Sequence, residues 1–171
     1  MTETPLRRTA SLAVAALFCA ETALWCDRSL AADAPAQISA AEANAARIVS
    51  GYDAFGRGDI DAAMAVFADD ILWHVPGRGP LSRDYHNHAE VLDFFEHFMK
   101  LSNGTFRVKV DKVLAKDNLV VVLCTESAQR AGRSWSSPQV HVWTVKDGQA
   151  TVFWQYQGDQ QAEDEFWSAP K

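Results

Sequence analysis

The sequence predicts an α+β domain in which three N-terminal helices pack in a strongly curved, mostly antiparallel sheet. Its helical and strand content rests on three observations. Apolar residues recur at helical spacing in three segments between residues 39 and 103. From residue 106 that spacing gives way to runs of period two, separated by turn-forming pairs. Helices therefore come first and strands follow, without the regular alternation that builds a parallel sheet.

Ser39 opens the first helix with Glu42 three residues on, the pattern of a capping box. Ile48, Tyr52 and Phe55 share one face, and Gly56-Arg57-Gly58 ends it. Asp59 starts a short second helix that carries Ile60, Met64 and Phe67 inward. Asp69-Asp70 is read as a turn, and Ile71 to Val75 as a strand stopped by Pro76-Gly77. A loop runs from Pro76 to Tyr85. Asn87 with Glu90 caps the third helix, whose stripe is Val91, Leu92, Phe94, Phe95, Phe98 and Met99. Four strands follow, turned at Asp117-Asn118, Ala131-Gly132 and Asp147-Gly148. Pro138 predicts a bulge in the third of them. The acidic tail after Gly158 ends in Phe166-Trp167, which should pack back onto the body.

A hydrophobic fraction of 48% supplies material for one core, so residues 39–171 are read as one domain. The net charge of -6, with no basic stripe, argues against nucleic acid and against an anionic membrane surface. Residues 1–38 differ from the rest. Arg7-Arg8, the apolar run Ala10 to Ala20 and the small residues near Ala31 resemble a secretory signal peptide. The apolar run is too short to span a bilayer. The segment is thus a signal, making the protein exported or periplasmic, or a disordered extension on a cytoplasmic one. Cys124 lies in an apolar run and reads as core rather than nucleophile.

Gly56-Arg57-Gly58-Asp59-Ile60-Asp61, then Phe67-Ala68-Asp69-Asp70 and the hairpin Val145-Lys146-Asp147-Gly148, form a distinctive order. It resembles the SnoaL-like and ketosteroid isomerase-like branch of the nuclear transport factor 2-like superfamily over residues 40–160. The run Trp73 to Leu81 is similar to that of bacterial SnoaL-like proteins. The resemblance implies a cone whose open end holds a small apolar molecule and whose outer sheet face makes a homodimer. It implies no cofactor. Members include isomerases, polyketide cyclases, epoxide hydrolases, dehydratases and non-catalytic binders, so the fold does not name the reaction.

Ketosteroid isomerase uses an Asp base with Tyr and protonated Asp donors. The resemblance places that base at Val75, which cannot take a proton. The Tyr donor would fall near Gly51, beside Tyr52, and the protonated Asp near His141. A literal steroid isomerase is therefore excluded. The remaining catalytic candidates are His141, His74 and Asp159. Histidine exchanges protons near neutrality. His141 should face inward with Trp143; its other reading is a hydrogen-bonded wall residue. Alternation sends His74 away from the cavity if Val75 faces it. Asp159 ends the last strand, where related enzymes place a carboxylate, or it is a turn residue. Tyr52, Phe55, Trp73, Val75, Trp143 and Trp154 are candidates for the ligand wall, and Arg78 for a group over its mouth. Glu126 matters only if its strand turns it inward. His86-Asn87-His88 straddles a helix cap without acidic or Cys partners, so no metal site is read there.

Three functions compete: a cofactor-free enzyme of isomerase, cyclase or hydrolase type, a non-catalytic small-molecule binder, and a dimeric interaction domain. An enzyme should hold His141 within about 3.5 Å of a second polar group on one cavity. A vestigial pocket should be filled by its own tryptophans.

Overall fold

The computed structural model describes residues 39–168. The reading of residues 1–38 as a leader or extension lies outside them. The first helix, α1 (Ala40–Gly56), carries the expected capping box. The Ser39 N–H donates to the Glu42 carboxylate at 2.8 Å, and the Glu42 N–H donates to Ser39 Oγ at 3.2 Å. Two of the four orphan donors at the helix start are thereby satisfied. The short α2 (Ile60–Met64) is capped by Asp59, and α3 (His88–Leu101) by Asn87, whose side chain accepts from the Glu90 N–H.

The six strands are β1 (Phe67–His74), β2 (Asp84–Tyr85), β3 (Arg107–Lys116), β4 (Leu119–Arg130), β5 (Arg133–Lys146) and β6 (Gln149–Gln157). Their order in the sheet is β2-β1-β6-β5-β4-β3. Only β1 and β6 pair in parallel; every other neighbour is antiparallel. The helices pack on the inner face of this curved sheet, and the architecture is the α+β cone.

Three local readings need correction. Phe67 does not belong to α2, which ends at Met64; it opens β1 and buries its ring against Trp143. Asp69 and Asp70 lie inside β1 rather than in a turn. Between Phe67 and Leu72 the strand slips out of register with β6, so the two exposed acids occupy an irregularity of the ladder. Pro138 makes no bulge: the β4–β5 register runs through it unbroken. It sits one residue past the last β5–β6 pair, Gln139 with Gln157, where its carbonyl still accepts from the Gly158 N–H at 3.0 Å and its missing N–H costs only the end rung of that ladder. The tail, for which the sequence reading named no element, is helical. Helix α4 (Gln160–Ser168) brings Phe166 and Trp167 onto the body, both buried as expected.

The core between helices and sheet is largely aromatic. Trp73 stacks on Phe153 with centroids 3.9 Å apart, and Trp143 meets both. Each such ring contributes on the order of 1.5–3 kcal/mol by leaving water.

Candidate functional site

Inside the cone lies a cavity of about 90 Å³, lined by α1, α2, α3, the sheet, the loop after β1 and α4. A water needs only about 10–15 Å³ measured this way, so the space suits a small organic molecule. Trp73 and Trp143 line this space and do not fill it.

One chain of buried polar groups crosses its wall. Alternation on β4 turns Val120, Val122, Cys124, Glu126 and Ala128 inward. On β5 it does the same for Gln139, His141 and Trp143. His141, 3% exposed, holds its Nδ1 2.7 Å from the Tyr52 hydroxyl on α1. Its Nε2 stands 3.2 Å from Glu126 Oε1. The other Glu126 oxygen accepts from Gln155 Nε2 at 3.1 Å. Trp143 Nε1–H donates to the Tyr52 oxygen at 3.0 Å. The Tyr52 and His141 rings lie near parallel, 14° apart.

The proton positions follow from these partners. With Glu126 as a carboxylate, the neutral His141 carries its proton on Nε2 and accepts the Tyr52 O–H at Nδ1. A second proton on His141 reverses that bond. Nδ1–H then donates to the Tyr52 oxygen, which already accepts from Trp143, and the Tyr52 O–H is freed to donate elsewhere. Burial pushes the Tyr52 phenol well above its usual range, and Cys124 and Glu126 add to this. Tyr52 is therefore a donor at neutral pH and not a phenolate.

Cys124 Sγ lies 3.6 Å from His141 Nδ1, but burial and the Glu126 charge push the thiol up to about 12. It stays protonated and inert.

A second carboxyl reaches the same cavity from α4. Glu163 is 6% exposed and accepts from Gln139 Nε2 at 3.1 Å. Burial first, and the nearby Glu126 charge second, raise its pKa to about 7 against that hydrogen bond. Helix α4 is tied to the body at its middle and near its C-terminal end. Its Asp164 accepts from the Arg78 backbone N–H at 2.9 Å, and Arg130 donates to the carbonyls of Phe166 and Trp167. Gly77, at φ +99°, passes so close to Gln160 and Asp164 that a Cβ there would strike both.

Tyr52, Phe55, Trp73, Val75, Trp143 and His141 all line the cavity. Four other candidates do not. His74 faces the outer side, bonded to Asp84 at 2.6 Å and stacked on Trp154 at 3.5 Å. Trp154 is 43% exposed there, because alternation along β6 gives the inward places to Phe153 and Gln155. Asp159 is an exposed N-cap of α4, accepting from the Ala162 N–H. The Arg78 side chain is exposed and lies outside the lining. Glu126, whose facing the sequence left open, turns inward, and Glu163 is the site carboxyl that the sequence reading lacked. A helix signal for the second was present: Asp159 as N-cap ahead of a Gln- and Glu-rich run. His88 spends its Nε2 on the Phe67 carbonyl at 3.1 Å. Among the described residues, no three His, Cys, Asp or Glu stand together as a metal site.

Known proteins share this frame. An uncharacterised protein of Mycobacterium tuberculosis is 27% identical over 118 residues, 68% of this chain and 90% of its own length. The structure of Bal32a, from a soil-derived mobile gene cassette, superposes with a TM-score of 0.72 at 29% identity, covering 74% of this chain and 98% of its own. A nuclear transport factor 2-like protein of Burkholderia pseudomallei gives 0.68 at 27% identity, covering 74% and 98%. The family model of the SnoaL-like domain matches residues 49–153, and the chain belongs to that family, within the nuclear transport factor 2-like superfamily.

Proposed function

We propose that this SnoaL-like protein is a cofactor-independent acid–base enzyme of isomerase, cyclase or hydrolase type, acting on a small, largely apolar molecule held in the cavity. The observation that carries the proposal is the Tyr52–His141–Glu126 chain opening onto apolar walls. Tyr52 is the group that meets the substrate oxygen. His141 passes a proton to and from it, and Glu126 holds the imidazole in place and balances its charge. Glu163 is the second exchangeable group, poised near neutrality where a general acid or base is most effective. A literal ketosteroid isomerase stays excluded, because Val75 stands where that enzyme's base would be.

The test is turnover of a panel of apolar carbonyl compounds, lactones and epoxides by the purified chain and by Tyr52→Phe. We expect one class to react and the variant to lose about 10²- to 10⁴-fold in kcat/KM while remaining folded. Saturable binding without turnover would favour the non-catalytic binder. No binding of any class would favour the interaction domain.

The partner reading is a second copy of the chain on the outer sheet face. Leu72, Leu123, Val142, Trp154 and Tyr156 point outward there, and the last two are 43% and 54% exposed. A contiguous apolar patch of this kind is unusual on a lone domain. Trp154→Asp is expected to turn a dimer into a monomer in analytical ultracentrifugation. A monomer before the substitution refutes the reading.

A further inference from the structure

The polar atoms of the cavity wall are unevenly spent. Tyr52, His141 and both oxygens of Glu126 are taken up by one another, by Trp143 and by Gln155. Asp164 accepts from Gln160 and from the Arg78 N–H. Two acceptors are left over. Gln155 turns its amide nitrogen to the Glu126 carboxylate, because its oxygen there would meet only another acceptor. Its Oε1 therefore lies away from Glu126 and has no partner among the described residues. Glu163 accepts from Gln139 on one oxygen, and its Oε1 has no partner among them either. The unpaired buried side-chain atoms that are fully closed off are Trp73 Nε1, Arg130 Nε, Gln139 Oε1 and Gln157 Nε2, so neither oxygen is sealed in. Gln155 and Glu163 both line the cavity and are only 7% and 6% exposed, so the open surface of these oxygens belongs to that space.

The charge of the lining says what should meet them. Glu126, Glu163 and Asp164 reach the cavity, and no Lys or Arg does among the described residues. An anion would be buried beside carboxyls without a counter-charge, whereas a cation would find one. The walls suit a cation as well, since the faces of aromatic rings are negative. Trp167 stands one turn after Glu163 on α4 and lines the same space, its ring centroid 4.6 Å from that of Phe98. The volume of about 90 Å³ suits a ring-sized molecule.

We infer that the cavity takes a ring-sized molecule bearing a protonated amine, whose ammonium is held by Glu163 with the Gln155 oxygen as a second acceptor. The inference rests on the ligand-pocket reading above, names the polar group of that ligand, and does not rest on turnover. Glu163 selects the ligand by charge. The ammonium in turn draws the carboxyl to its ionised form, so binding releases a proton.

Four matched probes test it on the whole ¹⁵N-labelled chain by titration of its amide spectra: benzylamine, benzyl alcohol, toluene and benzoate. At pH 8 benzylamine should bind about ten-fold more tightly than benzyl alcohol or toluene, and benzoate should bind most weakly. In Glu163→Gln the preference for benzylamine over toluene should fall to within about two-fold, with toluene still bound. Should that variant not fold, the pH dependence of the unaltered chain decides the matter. The titratable groups that bear on Glu163 are Glu126 from β4 and Asp164 on its own helix, and His141 on β5 backs Glu126. With its pKa at about 7, Glu163 ionises between pH 6 and pH 8, while an alkylamine stays protonated. Benzylamine binding should therefore tighten about ten-fold over that range, and toluene binding should hold level. Toluene, benzyl alcohol or benzoate matching benzylamine overturns the inference, as does a benzylamine affinity flat with pH; either leaves the pocket reading intact. Binding of none of the four overturns both.

Discussion

His141→Ala is expected to lower the unfolding free energy by about 3–5 kcal/mol, the size expected when a buried carboxylate is left without its partner. The residue is not large, and a simple cavity would cost less. The penalty comes from what it leaves behind. Glu126 is 4% exposed and would keep one donor, Gln155. The Tyr52 hydroxyl would lose its acceptor as well. Both groups would sit in an apolar interior where water cannot replace the lost bonds. The same argument says how to repair the damage. His141→Phe with Glu126→Leu removes the stranded carboxylate along with its partner and should recover part of the loss, with Tyr52 and Gln155 still short of an acceptor, because apolar replacement of a buried pair is often near neutral. Urea unfolding of the single and double variants measures this. A double variant no more stable than His141→Ala would mean that packing, not the stranded carboxylate, sets the cost.

Glu163→Gln should change how stability depends on pH. The folded pKa of about 7 lies above the ordinary 4.5, so the fold favours the protonated carboxyl. Its contribution is fully present below about pH 4.5 and is lost as pH rises through about 7. That difference corresponds to at most about 3 kcal/mol between pH 4.5 and pH 8. The groups facing it are Glu126 from β4, Gln139 from β5 and Asp164 on its own helix, and none is a cation. A glutamine has nothing to ionise. Relative to the unaltered chain, the variant should gain stability from pH 5 to pH 8, since titrations elsewhere cancel in the comparison. Parallel stability profiles for the two proteins would show that Glu163 is not buried among carboxyls in solution.

The fold was largely legible because local signals agreed with the final architecture. Ser39 with Glu42, Asn87 with Glu90, and the Asp147-Gly148 turn each name an element boundary on chemical grounds. The failures came where tertiary context outvoted a local preference. Asp69-Asp70 has turn chemistry, yet the β1–β6 pairing absorbs it as a slip in register. The site was harder for a single reason, which is that both faces of the sheet are apolar. On β4, Val121 and Leu123 point out while Val120 and Val122 point in, so nothing local tells which way Glu126 turns. On β6, Phe153 faces in while Trp154 and Tyr156 face out. Period two then marks a strand without marking its inside. His141 could be placed only through the resemblance.

The position of α4 has a consequence for how such a protein can change over generations. Glu126 and His141 are built into the middle of the sheet, where each substitution disturbs two neighbouring strands. Glu163 rides on a nine-residue terminal helix that follows the last strand. That helix can be lengthened, replaced or stripped of its acid without altering a single strand pairing. One half of the proposed site is thus conservative by construction, and the other is open to inheritance by exchange. Under the proposed function, divergence of reaction among such proteins should be written first in the counterpart of α4.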